Sequence, residues 1–350
     1  MRRLRLGVIG AGSWTVAAHL PALSRRSEVE FVGVCRQGAE VLEGIRSKFG
    51  FQMASEDYRD VLAQDLDIVV VASPSALHHE HVKAALQSGA HVLCEKPMTI
   101  TPADAWDLVR TAEDQDRQLL MSFGWDYMAI IRRAKALIDE HGIGELEHMT
   151  IHMSSATREL LSNTGAYPDA SPETTPDPDT WTNPAVSGGG YGQAQLSHAL
   201  GLALRLVPER VSSAFAFTSA PLGAPVELHD AAALRFDGGG IGVLSGGSNH
   251  VGASANKHEL EVRAIGSQGQ FIVDVHREFV YLFRPDGVDV RLDLEPGSGD
   301  YVFSGPSDGL VDAALGDASA NQAPGELGAR TVEALELVYR SAASGQMVTR

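Results

Sequence analysis

Length, composition and charge limit what this chain can be. At 350 residues and 44% hydrophobic content it is long enough for two well-packed domains, and its formal net charge of −17 repels nucleic-acid phosphates and anionic lipid, so neither is an expected partner. With no run of about eighteen apolar residues, no secretory leader, and two cysteines (Cys35 and Cys94) in apolar strand-like runs, the sequence predicts a cytoplasmic protein without disulfides.

The first third of the chain alternates strand-like and helical stretches. Strands are predicted at 4–10, 31–35, 68–72, 91–94 and 119–123, with helices at 17–24, 41–49, 79–88 and 102–114. The run 68–72 is apolar on both faces, which is typical of a parallel strand covered by helices on each side. This pattern predicts an α/β fold with a doubly wound parallel sheet of Rossmann type, as a dinucleotide-binding domain over residues 1–123.

The rhythm changes after residue 123, where a second domain is predicted over 124–350. Helices are predicted at 129–141, 196–206 and 325–343, and strands at 147–153, 211–218, 231–236, 242–245, 258–265, 270–275, 279–283 and 288–294. Several strands have hairpin spacing, and one pair is joined by a glycine-rich turn at 237–240, which predicts a mostly antiparallel sheet. Residues 162–184 contain five prolines and are interpreted as a surface loop, either a mobile insertion or a lid over the active site.

A glycine-rich turn follows the first predicted strand. Gly10 permits a tight turn, and Gly12 lets the backbone approach a pyrophosphate at the N-terminus of the helix that Ser13 and Trp14 begin. Thr15 replaces the third glycine of the usual fingerprint, so the motif alone also fits an ordinary turn. Its position at the start of a regular βαβ series favours a dinucleotide site.

The second predicted strand ends at Arg36, where an acidic residue would ordinarily hold the ribose hydroxyls of NAD. A guanidinium pairs with a 2′-phosphate that a carboxylate would repel, so the sequence favours NADP over NAD. The alternative is a solvated arginine at a strand end, which leaves the cofactor preference open.

Further motifs resemble the Gfo/Idh/MocA oxidoreductase family, the group that contains glucose-fructose oxidoreductase and inositol dehydrogenase. The motifs are His19-Leu-Pro-Ala-Leu23, Ala72-Ser-Pro-Ser-Ala-Leu-His-His-Glu-His81, His91-Val-Leu-Cys-Glu-Lys-Pro97, the stretch from Trp181 to Gly190, and Val338-Tyr-Arg-Ser-Ala342. The likeness spans essentially the whole chain. It implies a Rossmann domain followed by an α/β domain whose large, mostly antiparallel sheet has helices on one face. Its open face commonly pairs with another subunit, so a dimer or tetramer is expected.

The resemblance also implies roles for individual residues. Ser73, Pro74 and His78 would lie along the cofactor, with Glu95 and Lys96 beside the nicotinamide ribose and the reacting carbon. The ammonium of Lys96 has its own chemical rationale, because it stabilises a developing alkoxide and helps to move a proton while hydride passes to or from the nicotinamide.

A second catalytic candidate, His198, follows a triple-glycine turn. In the family an aspartate stands four residues before this histidine, on the same helical face, and here Ala194 takes that place. Without the carboxylate the proton-transfer role of His198 is weaker, and a structural histidine is the alternative. Tyr191, Gln193 and Gln195 are candidates for hydrogen bonds to substrate hydroxyls, and none replaces the aspartate as a base.

Residues near Gly124 depart from the family in a second way. Family members often carry asparagine and arginine here, whereas this chain has Asp126 and Tyr127, which we expect to face the substrate. The neighbouring pairs His229-Asp230 and His258-Glu259 lack a third ligand at suitable spacing, so no metal is expected.

The leading hypothesis is an enzyme that exchanges hydride between NADP or NAD and a secondary alcohol or carbonyl of a sugar, cyclitol or related polyol. The alternatives are a cofactor-binding sensor or regulator that lost catalysis, favoured by Ala194, and a scaffold whose sheet mediates assembly.

Overall fold

The computed structural model of the protein describes residues 2–165, 177–250, 252 and 258–350. These residues form two units. The first contains 2–124, 177–180 and 302–329, and the second contains 125–165, the described part of 181–301, and 330–350. The predicted boundary near residue 124 therefore coincides with a change of unit, whereas 302–329, assigned from sequence to the second domain, belongs to the first unit.

The first unit contains a parallel sheet of six strands in the order β3-β2-β1-β4-β5-β6. The strands are β1 (Leu4–Ile9), β2 (Val29–Cys35), β3 (Met53–Ser55), β4 (Ile68–Val71), β5 (His91–Cys94) and β6 (Leu119–Met121). Every residue of β4 is fully buried, as expected for a strand covered on both faces. The strand order is that of a dinucleotide-binding Rossmann fold, and the predicted fold class is confirmed.

The second unit contains a sheet of nine described strands in the order β14-β13-β12-β11-β7-β10-β9-β8-β15. These are β7 (Leu146–Ser155), β8 (Val211–Ser219), β9 (His229–Phe236), β10 (Ile241–Ser248), β11 (Glu259–Gly266), β12 (Gly269–Asp274), β13 (Phe279–Arg284), β14 (Val288–Asp293) and β15 (Val348–Thr349). Neighbours are antiparallel except β7 and β10, which run parallel. The predicted mostly antiparallel sheet is thus confirmed, as is the hairpin that joins β9 to β10.

Twelve α-helices lie in the described residues. They are α1 (Leu20–Ser24), α2 (Ala39–Phe49), α3 (Tyr58–Leu62), α4 (His78–Gln87), α5 (Pro102–Asp114), α6 (Ala129–His141), α7 (Arg158–Leu161), α8 (Pro178–Thr182), α9 (Pro184–Ser187), α10 (Ser197–Leu206), α11 (Gly305–Ala314) and α12 (Gly325–Ser344). Turns of π-helix over Thr15–His19 and Gly192–Leu196 lead into α1 and α10. The second leads into α10, which carries the predicted site residue His198, and π-helical turns occur often at functional sites.

The segment 302–329 joins the first unit through α11. This helix packs against β4, β5, β6 and α1, and it buries Leu310 and Val311 completely. Arg26, two residues after α1, binds Asp312 at 2.6 Å and Asp308 at 3.4 Å. The segment therefore completes the apolar core of the first unit. Its sequence, rich in glycine and alanine, did not predict this packing.

Residues 166–176 of the proline-rich segment 162–184 lie outside the described residues, so the lid stays a prediction. In the described part the short helix α8 stands where the sequence predicted a loop, and α9 begins at its last residue, Pro184. Local turns are therefore helical where prolines occupy first helical positions, as Pro184 does in α9.

Candidate active site

The glycine turn after β1 brings three strand ends together. Gly10 has a φ of +90°, and a Cβ there would lie 2.2 Å from the backbone nitrogen of Ser73, just after β4. Its own N–H donates to the carbonyl of Cys35 at the end of β2, at 2.9 Å. Only glycine fits this position, because an L side chain would meet both the positive φ and the neighbouring backbone. The turn thus stands at the carboxyl ends of parallel strands, where ligands bind in such sheets.

The space above Gly12 is open. A Cβ built on this residue meets nothing within 4 Å, and the first helix begins at Ser13 with its unpaired N–H groups at that end. The hydroxyl of Thr15, where the fingerprint has its third glycine, is buried and donates to the carbonyl of Gly10 at 2.9 Å. Thr15 therefore ties the helix to the turn. Open space beside a helix N-terminus fits a pyrophosphate group.

Arg36 lies beside this turn. Its Nη1 donates to the carbonyl of Ala11 at 3.1 Å and its Nε to the carbonyl of Gln37 at 3.1 Å. The side chain is half-buried. These contacts hold one cation at the edge of the turn, the position that the sequence predicted for a group near the adenine ribose.

Trp14 packs against Phe303 within the first unit. Its ring lies edge to face with that of Phe303, with centroids 5.5 Å apart. Phe303 belongs to the segment 302–329, so this segment borders the helix that follows the glycine turn. Trp14 therefore packs within the first unit, and its expected part in the dinucleotide site stays a prediction.

His78 connects two loops. It is buried, with Nε2 at 2.6 Å from the carbonyl oxygen of Ser73 and Nδ1 at 2.9 Å from that of Pro97. Burial lowers the pKa of His78, although the two carbonyls act to raise it. The sequence predicted that Ser73, Pro74 and His78 line the cofactor, and the structure shows that both His78 nitrogens already face the backbone. Its contribution is to hold the loop after β4 against the turn at Pro97.

Glu95 and Lys96 follow β5. Glu95 lies 2.7 Å from Nε2 of His19 and accepts a hydrogen bond from the backbone nitrogen of Lys96 at 3.1 Å. Burial alone would raise the pKa of Glu95, but the hydrogen bond and charge of His19, the Lys96 ammonium and the Ser122 hydroxyl lower it to about 2. The Lys96–Pro97 peptide bond is cis.

Burial lowers the pKa of the half-buried Lys96, and the charge of Glu95 opposes that shift. A lysine whose pKa moves toward neutrality exchanges its proton more readily at physiological pH. Lys96 therefore combines the chemistry expected of a proton-transfer group with a fixed carboxylate at its side.

A carboxylate of the second unit positions the helix that bears His198. Glu227 accepts hydrogen bonds from the backbone nitrogens of Gly190 and Gly192, at 2.9 and 3.1 Å, and from the hydroxyl of Tyr339 at 2.6 Å. A Cβ at Gly190 would lie 2.4 Å from the Glu227 carbonyl oxygen, and one at Gly192 2.6 Å from the Tyr339 hydroxyl. Glycine is thus required at both positions, because Glu227 and Tyr339 lie close to the backbone of the turn. Sequence reasoning missed Glu227 and Tyr339 because both are far from the turn along the chain.

His198 is buried beside a group of aromatic rings. The centroid of its ring lies 6.3 Å from that of Tyr301, which in turn lies 4.8 Å from the ring of Trp125. His258 packs on Trp125 at 5.4 Å. Tyr301 and Trp125 were not predicted from sequence, although the position of Trp125 next to Asp126 was an available signal.

Tyr191 requires a correction. Its side chain is fully buried, its hydroxyl donates to the carbonyl of Met153 at 3.0 Å, and the hydroxyl of Ser155 donates to it at 3.2 Å. These contacts are those of a core residue that anchors the helix to β7, so the role expected in substrate binding becomes a packing role. Gln195 is also buried, at 6% exposure.

Asp126 has an unusual environment. It is completely buried, and neither carboxylate oxygen has a hydrogen-bond partner among the described residues. Its backbone carbonyl accepts a hydrogen bond from Arg205 at 2.5 Å. Burial raises the pKa of Asp126 to about 7, and the charge of Arg205 opposes the rise. The sequence placed Asp126 and Tyr127 toward the substrate, whereas in this structure Asp126 has no exposed surface and Tyr127 is half-buried.

Asp126→Asn is expected to stabilise the protein above neutral pH. Between the ordinary pKa of 3.8 and the folded value of about 7, the unfolded chain loses a proton that the folded chain keeps. The folded state therefore loses stability as pH rises through this window, by roughly 4 kcal/mol at about 1.36 kcal/mol per pKa unit. Asparagine removes this dependence. Thermal unfolding followed by circular dichroism should show a gain in Tm that grows from pH 5 to pH 8, and a gain that does not change with pH would refute the assignment.

The described ranges show neither a metal cluster nor a membrane-spanning helix. Within the described ranges, no three histidine, cysteine or acidic side chains gather as metal ligands would. Nor does any helix of that part of the chain have the length and apolar character needed to cross a membrane.

Comparison with known proteins gives two family models that match the chain. One, for the Gfo/Idh/MocA oxidoreductase family with an NAD-binding Rossmann fold, matches residues 4–123, and the other, for the Gfo/Idh/MocA C-terminal domain, matches residues 131–272.

Among curated relatives, the D-glucoside 3-dehydrogenase of Escherichia coli is 30% identical over 41% of each chain. The glucose-6-phosphate 3-dehydrogenase of Bacillus subtilis is 34% identical over 42% of this chain and 41% of its own. The chain thus spans about two fifths of the length of these relatives. The solved structure of an inositol dehydrogenase homolog complexed with NAD+ from Azotobacter vinelandii has a TM-score of 0.78 at 19% identity, over 100% of this chain and 98% of that one. That likeness concerns the fold.

Proposed function

This chain belongs to the Gfo/Idh/MocA family of oxidoreductases, and on that premise we propose that it is an NAD(P)-dependent dehydrogenase or reductase acting on a secondary alcohol or carbonyl of a sugar, cyclitol or related polyol. The observation that carries the proposal is the buried Glu95 and the half-buried Lys96 after β5, in the same unit as a glycine turn with room for a pyrophosphate. The first domain would bind the dinucleotide and the second would bind the substrate.

The dinucleotide would be held by the chain's own groups at the carboxyl end of the parallel sheet. The backbone at Gly10, Gly12 and Ser13 would receive the pyrophosphate, and the loop at Ser73 would border it. When bound, the nicotinamide supplies the acceptor or donor of hydride. In its neutral form Lys96 would take the hydroxyl proton onto Nζ as the alcohol is oxidised, and as an ammonium it would return the proton to the oxygen in the reverse direction.

Glu95 would keep Lys96 oriented, and His198 would assist through hydrogen bonding to the substrate. Because Ala194 supplies no carboxylate, the proton transfer would depend chiefly on Lys96. The fully buried helix around Gln195 would give His198 a rigid support.

A substrate screen tests the proposal. The full chain is incubated with aldoses, cyclitols and sugar alcohols together with NADP+ or NAD+, and formation of reduced nicotinamide is recorded by absorbance. We expect turnover of at least one neutral polyhydroxylated compound. If well-folded protein binds the dinucleotide and none of the panel, nor its carbonyl counterparts, is turned over, the enzyme proposal fails and a sensor on the same fold replaces it.

For the cofactor we propose NADP as the preferred form. Support comes from the position of Arg36 beside the carbonyl of Ala11, and from the absence of an acidic side chain at the end of β2, where Cys35 and Arg36 stand. Arg36→Ala should lower the ratio of NADPH to NADH affinity by about 10-fold to 100-fold, because a charge-assisted contact contributes about 1.5 to 3 kcal/mol. Fluorescence titration with both dinucleotides measures the ratio. Arg25→Ala, which removes an exposed arginine beyond α1, is the control, and an unchanged ratio in Arg36→Ala would leave NADP without support.

We also propose that the chain forms a homo-oligomer through the open face of its second sheet. Large apolar side chains are exposed on four strands, at alternate positions of β8 and β10 and at single positions of β11 and β13, namely Phe215, Phe217, Ile241, Val243, Ile265 and Phe283. Phe217 is 68% exposed, which is unusual for an isolated domain surface. Sedimentation equilibrium of the full chain tests this, and a monomer at micromolar concentration would contradict it.

A further inference from the structure

A chain of buried hydrogen bonds runs from α11 to the base of Lys96. The hydroxyl of Ser307 lies 2.9 Å from Nδ1 of His19, and Nε2 of the same ring lies 2.7 Å from Oε1 of Glu95. The second carboxylate oxygen of Glu95 accepts the backbone N–H of Lys96 at 3.1 Å. Ser307 is fully buried, His19 is 1% exposed and Glu95 8% exposed.

These residues come from separate parts of the chain. His19 ends the π-helical turn Thr15–His19 that follows the glycine turn, Glu95 follows β5, and Ser307 lies in the first turn of α11. The network therefore joins the helix expected to receive the pyrophosphate, the strand end that bears Lys96, and the returning segment 302–329.

We propose that His19, oriented by Ser307, is a positioning residue for Lys96: it keeps Glu95 as a fixed, ionised carboxylate whose charge holds the proton on the neighbouring ammonium. The inference rests on the proposed function, in which Lys96 moves the proton. It goes beyond that function because neither His19 nor Ser307 touches the reacting atoms, and both act through Glu95.

Glu95 is buried, so its charge needs partners inside the protein. A buried carboxylate is unfavourable unless hydrogen bonds and opposite charges compensate for lost hydration. His19 provides the largest such compensation, ahead of Lys96 and the hydroxyl of Ser122. The other titratable neighbours on which the charge of Glu95 acts are His78 and Cys94; burial lowers the pKa of His78 and raises that of the Cys94 thiol.

The carboxylate of Glu95 can only accept, so it requires an N–H on Nε2 of His19, and Ser307 holds the ring through Nδ1. When its hydroxyl donates to Nδ1, a neutral imidazole keeps its N–H on Nε2, which then points at Glu95. When the ring is protonated, the Ser307 oxygen accepts from Nδ1 and the same contact to Glu95 is preserved. Ser307 is thus compatible with both charge states of the ring and fixes its orientation.

Loss of His19 has a defined consequence for Lys96. Without that partner, burial raises the pKa of Glu95 and its carboxyl is more often neutral. The ammonium then loses the charge that opposes its desolvation, so the pKa of Lys96 falls further. A purely structural histidine would produce no such directional change.

Competitive labelling with trace acetic anhydride tests this without any substrate. The reagent modifies each lysine in proportion to its unprotonated fraction, and peptide mass spectrometry from pH 6 to pH 11 gives a midpoint for Lys96. His19→Ala should lower that midpoint by about one pH unit or more, the size expected for removal of a nearby opposite charge. Ser307→Ala should lower it by less, and His19→Gln, whose amide N–H still reaches Glu95, should restore it toward the wild-type value.

Two controls accompany the labelling. Lys83, whose ammonium binds Asp107, should keep its midpoint in every variant. Ser304→Ala changes a serine immediately before α11 that caps nothing through its side chain, and it should leave Lys96 unchanged. If His19→Ala fails to fold, the folded Ser307→Ala decides the matter, because an unchanged Lys96 midpoint in either variant overturns the inference.

The labelling and the substrate screen separate the two proposals. A lowered Lys96 midpoint together with no turnover of any polyol keeps the positioning role and removes the proposed reaction. Turnover of a polyol with an unchanged Lys96 midpoint keeps the proposed reaction and removes the positioning role. Where a substrate is found, the limb of the pH dependence of kcat/KM that belongs to Lys96 should move to lower pH in His19→Ala, in step with the labelling.

Discussion

Lys96→Ala is expected to lower kcat/KM by on the order of 1000-fold for any substrate found in the screen, because a positioned proton-transfer group contributes about 100-fold to 10,000-fold. The loss arises at the reacting oxygen, where no proton acceptor remains. Dinucleotide affinity should change little, since the pyrophosphate contacts belong to the glycine turn. Steady-state kinetics and fluorescence titration measure the two effects separately.

Two variants control for trivial causes of that loss. Lys96→Met keeps the length of the side chain and should be as inactive as Lys96→Ala. Lys83→Ala removes an ammonium on α4 that is paired with Asp107, and it should keep wild-type kcat/KM. Activity of Lys96→Met within 10-fold of wild type would mean that Lys96 does not transfer the proton.

Gly10→Ala and Gly12→Ala are expected to fail in different ways. At Gly10 a methyl group would lie 2.2 Å from the Ser73 nitrogen, in a backbone conformation with a φ of +90°. The strand ends must move apart, so the free energy of unfolding should fall by at least about 3 kcal/mol. Urea unfolding followed by circular dichroism measures this loss.

At Gly12 the same methyl group enters open space. Stability should change by less than about 1 kcal/mol, whereas dinucleotide affinity should fall by roughly 100-fold, about 2.7 kcal/mol, because the methyl occupies the path of the pyrophosphate. The two variants thus distinguish the effect of a glycine required for folding, Gly10, from that of a glycine required for ligand binding, Gly12. Unchanged dinucleotide binding in Gly12→Ala would place the phosphates elsewhere.

Much of the fold follows from local pattern. Hydrophobic periodicity located helices 102–114 and 129–141 with the bounds that the structure shows, and the apolar run at 68–72 identified a buried parallel strand. These elements have long or uniform patterns that tertiary contacts reinforce. The short strand β3 and helix α3 were missed because three and five residues carry too little periodicity to register.

The candidate site was predictable in part. Gly10, Gly12 and Lys96 were found because their roles depend on backbone geometry or on a motif within a few residues. The Ser307 contact to His19 was not, because 288 positions separate the two residues. Likewise, nothing local distinguishes the enclosed carboxylate of Asp126 from an exposed one, since its burial is set by packing around Trp125 and Arg205.

Isothermal titration calorimetry of the full chain with NADPH, repeated with NADH, tests directly whether the chain binds a nicotinamide dinucleotide. We expect one dinucleotide bound per chain, with binding that Gly12→Ala weakens. Heat changes no larger than those of dilution, for both dinucleotides and with protein shown to be folded, would contradict it.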